Sequence, residues 1–488
     1  MQVEHEKGIS AYGAYVPSLR MSRKAIAQAH AWALPGLRGL GKGTRAFCSW
    51  DEDSITMAVE ALRNCRKNST ELPAIVGGLT FASTSAPFAD FQNATTVAAA
   101  AGLPTDIQAM DTSGSLRAGT SALITALQNN DNIARYVVAS DCRLAKPGSA
   151  QEMHYGAGSA AIAVGSENII AKFIGSQSNA TQFVDHYRAQ GHDYDYYWEE
   201  RWIRDEGYMK IVPNTVAALL ESTGTKAESI KHFCMPGTLA RLGSSLAKAI
   251  GIDAEAVVDN FAVEIGDAGT PQPLLMLIAA LEKAQPGEKI LVVSFGAGCD
   301  AILLEATDAI ADYHPTRSLS ALSENIRTVE HYNQLLSFSG QLELEWGMRA
   351  EVDNKVSISQ LYRAQDQVTG FNGGECPSCG AIQFPILAAC VKCSSTEPMP
   401  RKPLADESAK VATYSTDNLQ YYPAPPMYWG LVQFDNGARL LMEMVNVDPA
   451  QFDVGTPLQM AYRIKQKDER RGLHRYFWKA IPASQNNA

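Results

Sequence analysis

Residues 273–302 read PLLMLIAALEKAQPGEKILVVSFGAGCDAI. A Leu/Ala-rich stretch, Pro273–Lys283, is followed by the unbroken apolar run Ile290–Phe295 and then by Gly296-Ala297-Gly298-Cys299-Asp300-Ala301-Ile302. The first segment predicts a helix. The second predicts a strand covered on both faces, because a strand with one face in water alternates apolar and polar residues. The same order occurs earlier in the chain. Ala118–Gln128 (AGTSALITALQ) precedes YVVAS at 136–140, and Gly156-Ala157-Gly158-Ser159-Ala160-Ala161-Ile162 follows. The step from Leu127 to Tyr136 equals that from Leu281 to Ile290. A repeated helix–strand–GAGxxAI unit predicts an α/β core of two similar βαβαβ halves, about residues 1–170 and 171–335, layered around a pseudo-two-fold axis.

Beyond this core the pattern changes. Residues 336–375 mix the alternating run Leu342–Met348 with turn residues and read as a connector. Residues 376–400 hold Cys376-Pro377-Ser378-Cys379 and Cys390-Val391-Lys392-Cys393. Each CxxC turn sets two thiolates on one side of a tight loop, and two such turns can close a tetrahedral sulfur site suited to Zn²⁺. A redox dithiol is the competing reading, but no thioredoxin-like βαβ pattern surrounds the pair. A site closed by Cys376, Cys379, Cys390 and Cys393 has no open position for substrate, so the metal is expected to be structural. Gly380 follows the first turn, where positive φ is often needed. From 401 to 488, strand-like segments at Lys410–Tyr414, Tyr428–Phe434, Arg439–Val445 and Leu458–Arg463 are separated by Pro and Asp-Asn-Gly turns. Asp435-Asn436-Gly437 between two apolar runs is a hairpin signal. A small β-barrel of OB type is expected there.

Composition narrows the function. The 488 residues carry 46% hydrophobic and 19% charged residues, as a globular protein with a large core does. A formal net charge of −10 argues against nucleic acid as the main partner, and the run Lys465–Arg471 is mixed rather than purely basic. No apolar run approaches the length of a membrane span, and the N-terminus lacks the basic-then-apolar order of a secretory signal. Four of the nine cysteines fall in the metal pattern and five are scattered, which suggests a reducing, cytoplasmic setting.

The chain resembles the thiolase superfamily, in the branch of hydroxymethylglutaryl-CoA synthase and ketoacyl synthase III, fused to the zinc-ribbon/OB-fold partner of such enzymes. The resemblance rests on Gly13-Ala14-Tyr15-Val16-Pro17, Trp50–Ala58, Asp111-Thr112-Ser113-Gly114, Gly266-Asp267-Ala268-Gly269-Thr270-Pro271 and the two GAG segments. In the tail it rests on the cysteine turns, Trp429–Phe434 and Val454-Gly455-Thr456-Pro457. It implies a thiolase-like core at 1–335, coenzyme A or acyl-CoA as substrate, a small keto acid or acyl compound as second substrate, and a homodimer.

The resemblance also implies a cysteine at a helix N-terminus, where its thiol pKa falls, together with a histidine and a glutamate. This chain departs at all three positions. Ser115-Leu116-Arg117-Ala118-Gly119-Thr120 places Leu116 where the cysteine is expected, Cys234-Met235-Pro236 replaces the histidine by Cys234, and Thr84 stands for the glutamate. Leucine cannot be a nucleophile. Ser115, by a shift of one, and Cys234 are the alternative acyl carriers. His232 would share a strand face with Cys234. His154, before the first GAG turn, is a candidate acid or base. Asp267 belongs near the thioester or merely stabilises its turn. Gly296, Gly298 and neighbouring amides could hold an oxyanion and the thioester. The aromatic stretch Asp185–Tyr208 is read as a pocket lining for a bulky acyl group or as interface or core.

The expected activity is CoA-dependent carbon–carbon cleavage of a β-keto acid or β-ketoacyl compound, releasing a short acyl-CoA without the usual cysteine acyl-enzyme. A condensing enzyme of hydroxymethylglutaryl-CoA synthase type and a silent acyl-CoA-binding subunit are the alternatives.

Overall fold

The computed structural model describes residues 6–320 and 326–483. They form two compact units. The first comprises the chain up to residue 339 except 50–52 and 98–103; the second comprises those two short segments and the residues from 340 onward.

The first unit is built on nine strands: β1 (Gly8–Tyr15), β2 (Val76–Ala82), β3 (Gln108–Thr112), β4 (Ala134–Cys142), β5 (Ala157–Gly165), β6 (Ala171–Ala180), β7 (Ile230–Cys234), β8 (Lys289–Phe295) and β9 (Gly298–Ala306). Their order is β7-β8-β9-β6-β1-β5-β4-β2-β3. Outward from the central antiparallel pair β1–β6, each half repeats one scheme. β5 and β9 lie antiparallel to their neighbours, while β4 and β8 take a parallel strand, β2 or β7, on the outer side. This is the duplication that the GAGxxAI repeat predicts, and the thiolase-like α/β core is the fold observed. Both GAG segments lead into buried strands, β5 throughout and β9 except at Glu305.

The helices of the first half include α1 (Ser54–Asn68), α2 (Ala118–Leu127) and α3 (Ala150–His154). Two later ones, α4 (Met209–Thr223) and α5 (Gln272–Leu281), belong to the second half. Asp53 caps α1 reciprocally with Thr56, each side chain meeting the other's backbone N–H at 2.9 and 2.8 Å. The helix then presses onto β1 at Gly13, where a Cβ would lie 2.2 Å from the Cys65 amide nitrogen. Every residue of α5 is buried, and each leucine or isoleucine it removes from water contributes about 1.5–3 kcal/mol. α2 approaches the segment before α5 at Gly119, whose Cβ would stand 2.8 Å from the Thr270 carbonyl oxygen.

The second unit contains a three-stranded ribbon, Asn372–Glu375, Ile382–Gln383 and Arg401–Pro403. After it comes a closed barrel of β10 (Ala409–Asp417), β11 (Met427–Phe434), β12 (Arg439–Met444), β13 (Pro457–Asp468) and β14 (Leu473–Pro482). The Asp435–Gly437 turn joins β11 to β12: Gly437 has φ +95°, and its N–H donates to the Phe434 carbonyl at 3.0 Å. The segment read as a connector carries short helices at Ile358–Arg363 and Gln365–Val368, and Leu342–Met348 forms no strand. Among the described residues, no helix is long and apolar enough to cross a membrane.

Candidate active site

The first unit holds a cavity of about 310 Å³ whose lining includes the exposed Trp198 and Glu200. Leu116, on the turn that opens α2, lines it, as do His154 and Tyr155 at the end of α3, Asp267 and Gly269 in the turn before α5, and Ser294 and Phe295 at the end of β8. The segment 185–208 contributes Asp185, Tyr197, Trp198, Glu200, Ile203 and Tyr208. The turn Ile203–Tyr208 is π-helical. In such a turn the residues five apart close one hydrogen-bonded ring, which sets Ile203 and Tyr208 on one side. Gly207 lets the turn pack against the Phe183 ring, which a Cβ there would meet at 2.8 Å.

Backbone contacts join the two halves at the cavity wall. The Asp267 N–H donates to the His154 carbonyl at 2.7 Å and the Gly156 N–H to the Asp267 carbonyl at 2.8 Å. Gly266, with φ +87°, allows this approach, since a Cβ there would sit 2.7 Å from the His154 carbonyl oxygen. Behind the wall lies a buried ionic cluster. Arg143 pairs with Asp267 at 2.8 Å, lies 3.9 Å from Asp195 and packs over the Tyr155 ring, its carbon 3.9 Å from the ring centre. Asp195 accepts from the Tyr155 hydroxyl at 2.5 Å and from Arg188 at 3.1 Å. His186 stacks on Tyr197 and pairs with Asp185 at 2.8 Å.

These surroundings set protonation states. Burial drives the Tyr208 hydroxyl well above the usual phenol range, and Asp185, Tyr197 and Asp267 push the same way. Burial pushes Tyr197 up to about 12. Burial, assisted by Arg23, lowers the His154 imidazole below its ordinary value. The cavity therefore holds neutral phenols, which can donate, beside a neutral imidazole, which can accept a proton.

Of the residues singled out from sequence, the cavity brings together Leu116, His154 and Asp267. The others lie elsewhere. Ser115 donates its hydroxyl to the Gly296 carbonyl at 3.0 Å and is not a lining residue. Cys234 is fully buried in the core beside Leu274 and Ile290, where burial pushes its thiol up. His232, although on the same strand, sits nearer its start and pairs with Glu288 at 3.0 Å. The Thr84 hydroxyl donates to Asp141 at 3.0 Å. The Gly296 N–H is engaged inside its own turn by the Gly298 carbonyl at 3.0 Å. Gly298, at φ +119°, passes so close to the Asn179 carbonyl that a Cβ would be 2.0 Å away, which explains the glycine by packing rather than by ligand contact. Tyr155 and the pairing of Arg143 with Asp267 escaped the sequence reading, whereas Tyr197, Trp198 and Tyr208 fall in the aromatic stretch 185–208, one of whose readings was a pocket lining.

The four ribbon thiols converge within 4.8 Å of one another, Cys376–Cys393 at 3.6 Å and Cys379–Cys390 at 3.7 Å. A tetrahedron with metal–sulfur bonds of 2.3 Å has edges of about 3.8 Å, so the donor set fits Zn²⁺. Backbone N–H groups of Cys393 and Lys392 bring the Cys390 thiol down to about 6, and Gly380 has φ +69° as the turn requires. The metal these cysteines would hold is structural.

A family model described as 3-oxoacyl-[acyl-carrier-protein] synthase III C terminal matches residues 220–305, and one described as a ChsH2 rubredoxin-like zinc ribbon domain matches 373–398. The hydroxymethylglutaryl-CoA synthase of Picrophilus torridus is 30% identical over 351 residues, covering 69% of this chain and 99% of that protein. That of Pyrococcus furiosus is 31% identical over 320 residues, covering 64% and 90%. Among solved structures, a hydroxymethylglutaryl-CoA synthase complexed with CoA aligns with a TM-score of 0.57 at 17% identity, covering 72% of this chain and 95% of that one. 3-Oxoacyl-(acyl carrier protein) synthase III from Pseudomonas aeruginosa aligns at 0.54 and 18%, covering 62% and 98%.

Proposed function

Because the chain belongs to the hydroxymethylglutaryl-CoA synthase family yet presents Leu116 at the head of α2, we propose that it joins an acyl-CoA to a carbonyl compound without an acyl-enzyme. The condensing activity named for its relatives supports this direction over the cleavage expected from sequence. The observation that carries it is the lining itself: it includes Leu116, the aliphatic residue at the position the resemblance assigns to the nucleophile, and no cysteine is among the described lining residues.

Addition of a thioester enolate to a carbonyl needs a base, an acid and proximity, but no carrier thiol. His154 is the base assigned here and Tyr208 the acid. His154 takes the proton from the carbon beside the thioester carbonyl. That carbon bonds to the acceptor's carbonyl carbon, and the acceptor oxygen takes the Tyr208 proton. The product is a β-hydroxyacyl-CoA, and proton transfer from imidazolium to phenolate through solvent resets both groups. Run backwards, the same step cleaves the bond and releases the acyl-CoA.

Proton exchange of the acetyl-CoA methyl group in D₂O, followed by NMR, tests the first step. The protein is expected to catalyse it, and His154→Ala to slow it about 10²–10⁴-fold. The rate should rise with pH through a midpoint below the ordinary imidazole value of about 6.5, because burial lowers His154. Tyr208, held protonated, should impose no alkaline fall before about pH 10. An acetyl increment on the intact protein after acetyl-CoA would overturn the mechanism, and absence of exchange would favour a silent acyl-CoA-binding subunit.

A further inference from the structure

We propose that the cavity selects an uncharged carbonyl acceptor about the size of one substituted aromatic ring and rejects the matching free keto acid. The inference rests on the preceding reading only in taking the cavity as the place where the acceptor binds.

Three observations point to this. The cavity, at about 310 Å³, stands at the low end of the range of about 300–1,000 Å³ used for small organic ligands. Its lining includes five aromatic residues, Tyr155, Tyr197, Trp198, Tyr208 and Phe295, together with Leu116. Its charged lining is acidic: Asp185, Glu200 and Asp267 face it, whereas no lysine or arginine is among the described lining residues.

The buried cation behind the wall, Arg143, is held through Nη2 alone, its Nε and Nη1 making no hydrogen bond. Arg143, with its side chain 1% exposed, binds Asp267, faces Asp195 and covers Tyr155. Arg188, the other cation of this cluster, holds Asp195 and the Thr84 carbonyl. A carboxylate entering the cavity would lose water, face Asp185, Glu200 and Asp267, and find no guanidinium or ammonium group among the described lining residues, the arrangement that makes a buried charge costly. A ketone or aldehyde oxygen meets the opposite situation, because the neutral phenol of Tyr208 can donate to it. Ring hydroxyls on the acceptor could in turn donate to Asp185 or Glu200. The chain therefore reads shape through its aromatic walls and charge through its acidic lining.

Phenylacetone and phenylpyruvate differ at one position, a methyl group against a carboxylate, and form the decisive pair. Saturation-transfer NMR titrations on the full-length, zinc-loaded protein at pH 7.5 are expected to show phenylacetone binding at least tenfold more tightly. Glu200→Lys, which supplies the missing cation from an exposed position, should narrow that ratio at least tenfold, and Glu200→Gln should narrow it less. Equal or tighter binding of phenylpyruvate to the unaltered protein, a ratio indifferent to both substitutions, or no saturation transfer to either compound would overturn the proposal. The two readings fail separately. Selective phenylacetone binding without acetyl-CoA exchange would remove the enolate mechanism and leave the selection standing. Exchange together with a preference for phenylpyruvate would do the reverse.

Discussion

The two halves of the nine-stranded sheet each bury one aspartate completely, and each uses it to grip the other half. Asp141, at the end of β4 in the first half, accepts from the backbone N–H and hydroxyl of Thr270, just before α5 of the second half, at 2.9 and 2.8 Å. Asp300, near the start of β9 in the second half, takes Arg117 at 2.8 Å and the hydroxyls of Thr120 and Ser121 at 3.1 and 2.6 Å, all at the head of α2 in the first half. The clasp is reciprocal, but its chemistry is not. Asp300 has a guanidinium partner. The hydrogen bonds to Asp141 come instead from uncharged donors, which besides Thr270 are the Ser83, Thr84 and Ser85 hydroxyls and the Thr84 and Ser85 amides. Duplication has preserved the backbone problem, two helix heads held at one cavity, while each half has solved it with different donors.

The largest effect is expected where most donors depend on one carboxylate. Asp141→Ala leaves buried hydroxyls and amides from two segments without their acceptor, and hydrogen bonds to a charged group contribute about 1.5–3 kcal/mol each, though not additively. A loss above about 4 kcal/mol is expected in urea denaturation, in the class of changes that break a buried network. Arg117→Met attacks the other clasp and leaves Asp300 with hydroxyls alone; about 3 kcal/mol is expected, the lower range for removing one partner of a buried pair. This change should also disturb the site, because Arg117 donates to the Gly296 carbonyl at 2.9 Å and fixes the turn that carries Leu116. Equal costs for the two variants would mean that the charge of Arg117 is immaterial and the clasps are equivalent.

Much of this frame was legible in the sequence, for a local reason. The helix–strand–GAGxxAI repeat, the CxxC turns and Asp435-Asn436-Gly437 each express a rule that acts within a few residues. The ribbon's ligands span only Cys376 to Cys393, so spacing alone identified the site. Strand β14, Leu473–Pro482, was less visible, because charged and apolar residues are mixed along it and Lys479 is buried. The cavity is the opposite case. Its ionic cluster joins Arg143 to Asp267 across 124 positions, a pairing no periodicity reveals. Strand alternation rightly sets His232 and Cys234 on one face, but depth along the strand separates a solvent-side ion pair from a core thiol. Thr84 was placed by resemblance at a catalytic position, whereas its hydroxyl serves the Asp141 clasp.

The smallest effect offers the finest comparison, since it removes one hydroxyl from each clasp while keeping side-chain shape. Thr270→Val and Thr120→Val are matched changes at the heads of the two helices, both at fully buried residues. Thr270 donates to Asp141 at 2.8 Å, with the Ala82 carbonyl a longer alternative at 3.3 Å. Thr120 lies 3.1 Å from Asp300 and 2.9 Å from the Arg117 carbonyl, so its proton has a second acceptor at least as near. A carboxylate with a guanidinium partner also depends less on any single hydroxyl. Thr270→Val is therefore expected to cost about 1.5–2 kcal/mol and Thr120→Val about 0.5–1 kcal/mol, read as shifts of the urea midpoint at constant slope. In the Arg117→Met background the Thr120 cost should rise toward that of Thr270, because the hydrogen bonds to Asp300 would then, like those to Asp141, come from uncharged donors alone. A Thr120 cost unchanged in that background would show that the guanidinium and the hydroxyls act on Asp300 independently, and the difference between the halves would reduce to hydrogen-bond geometry.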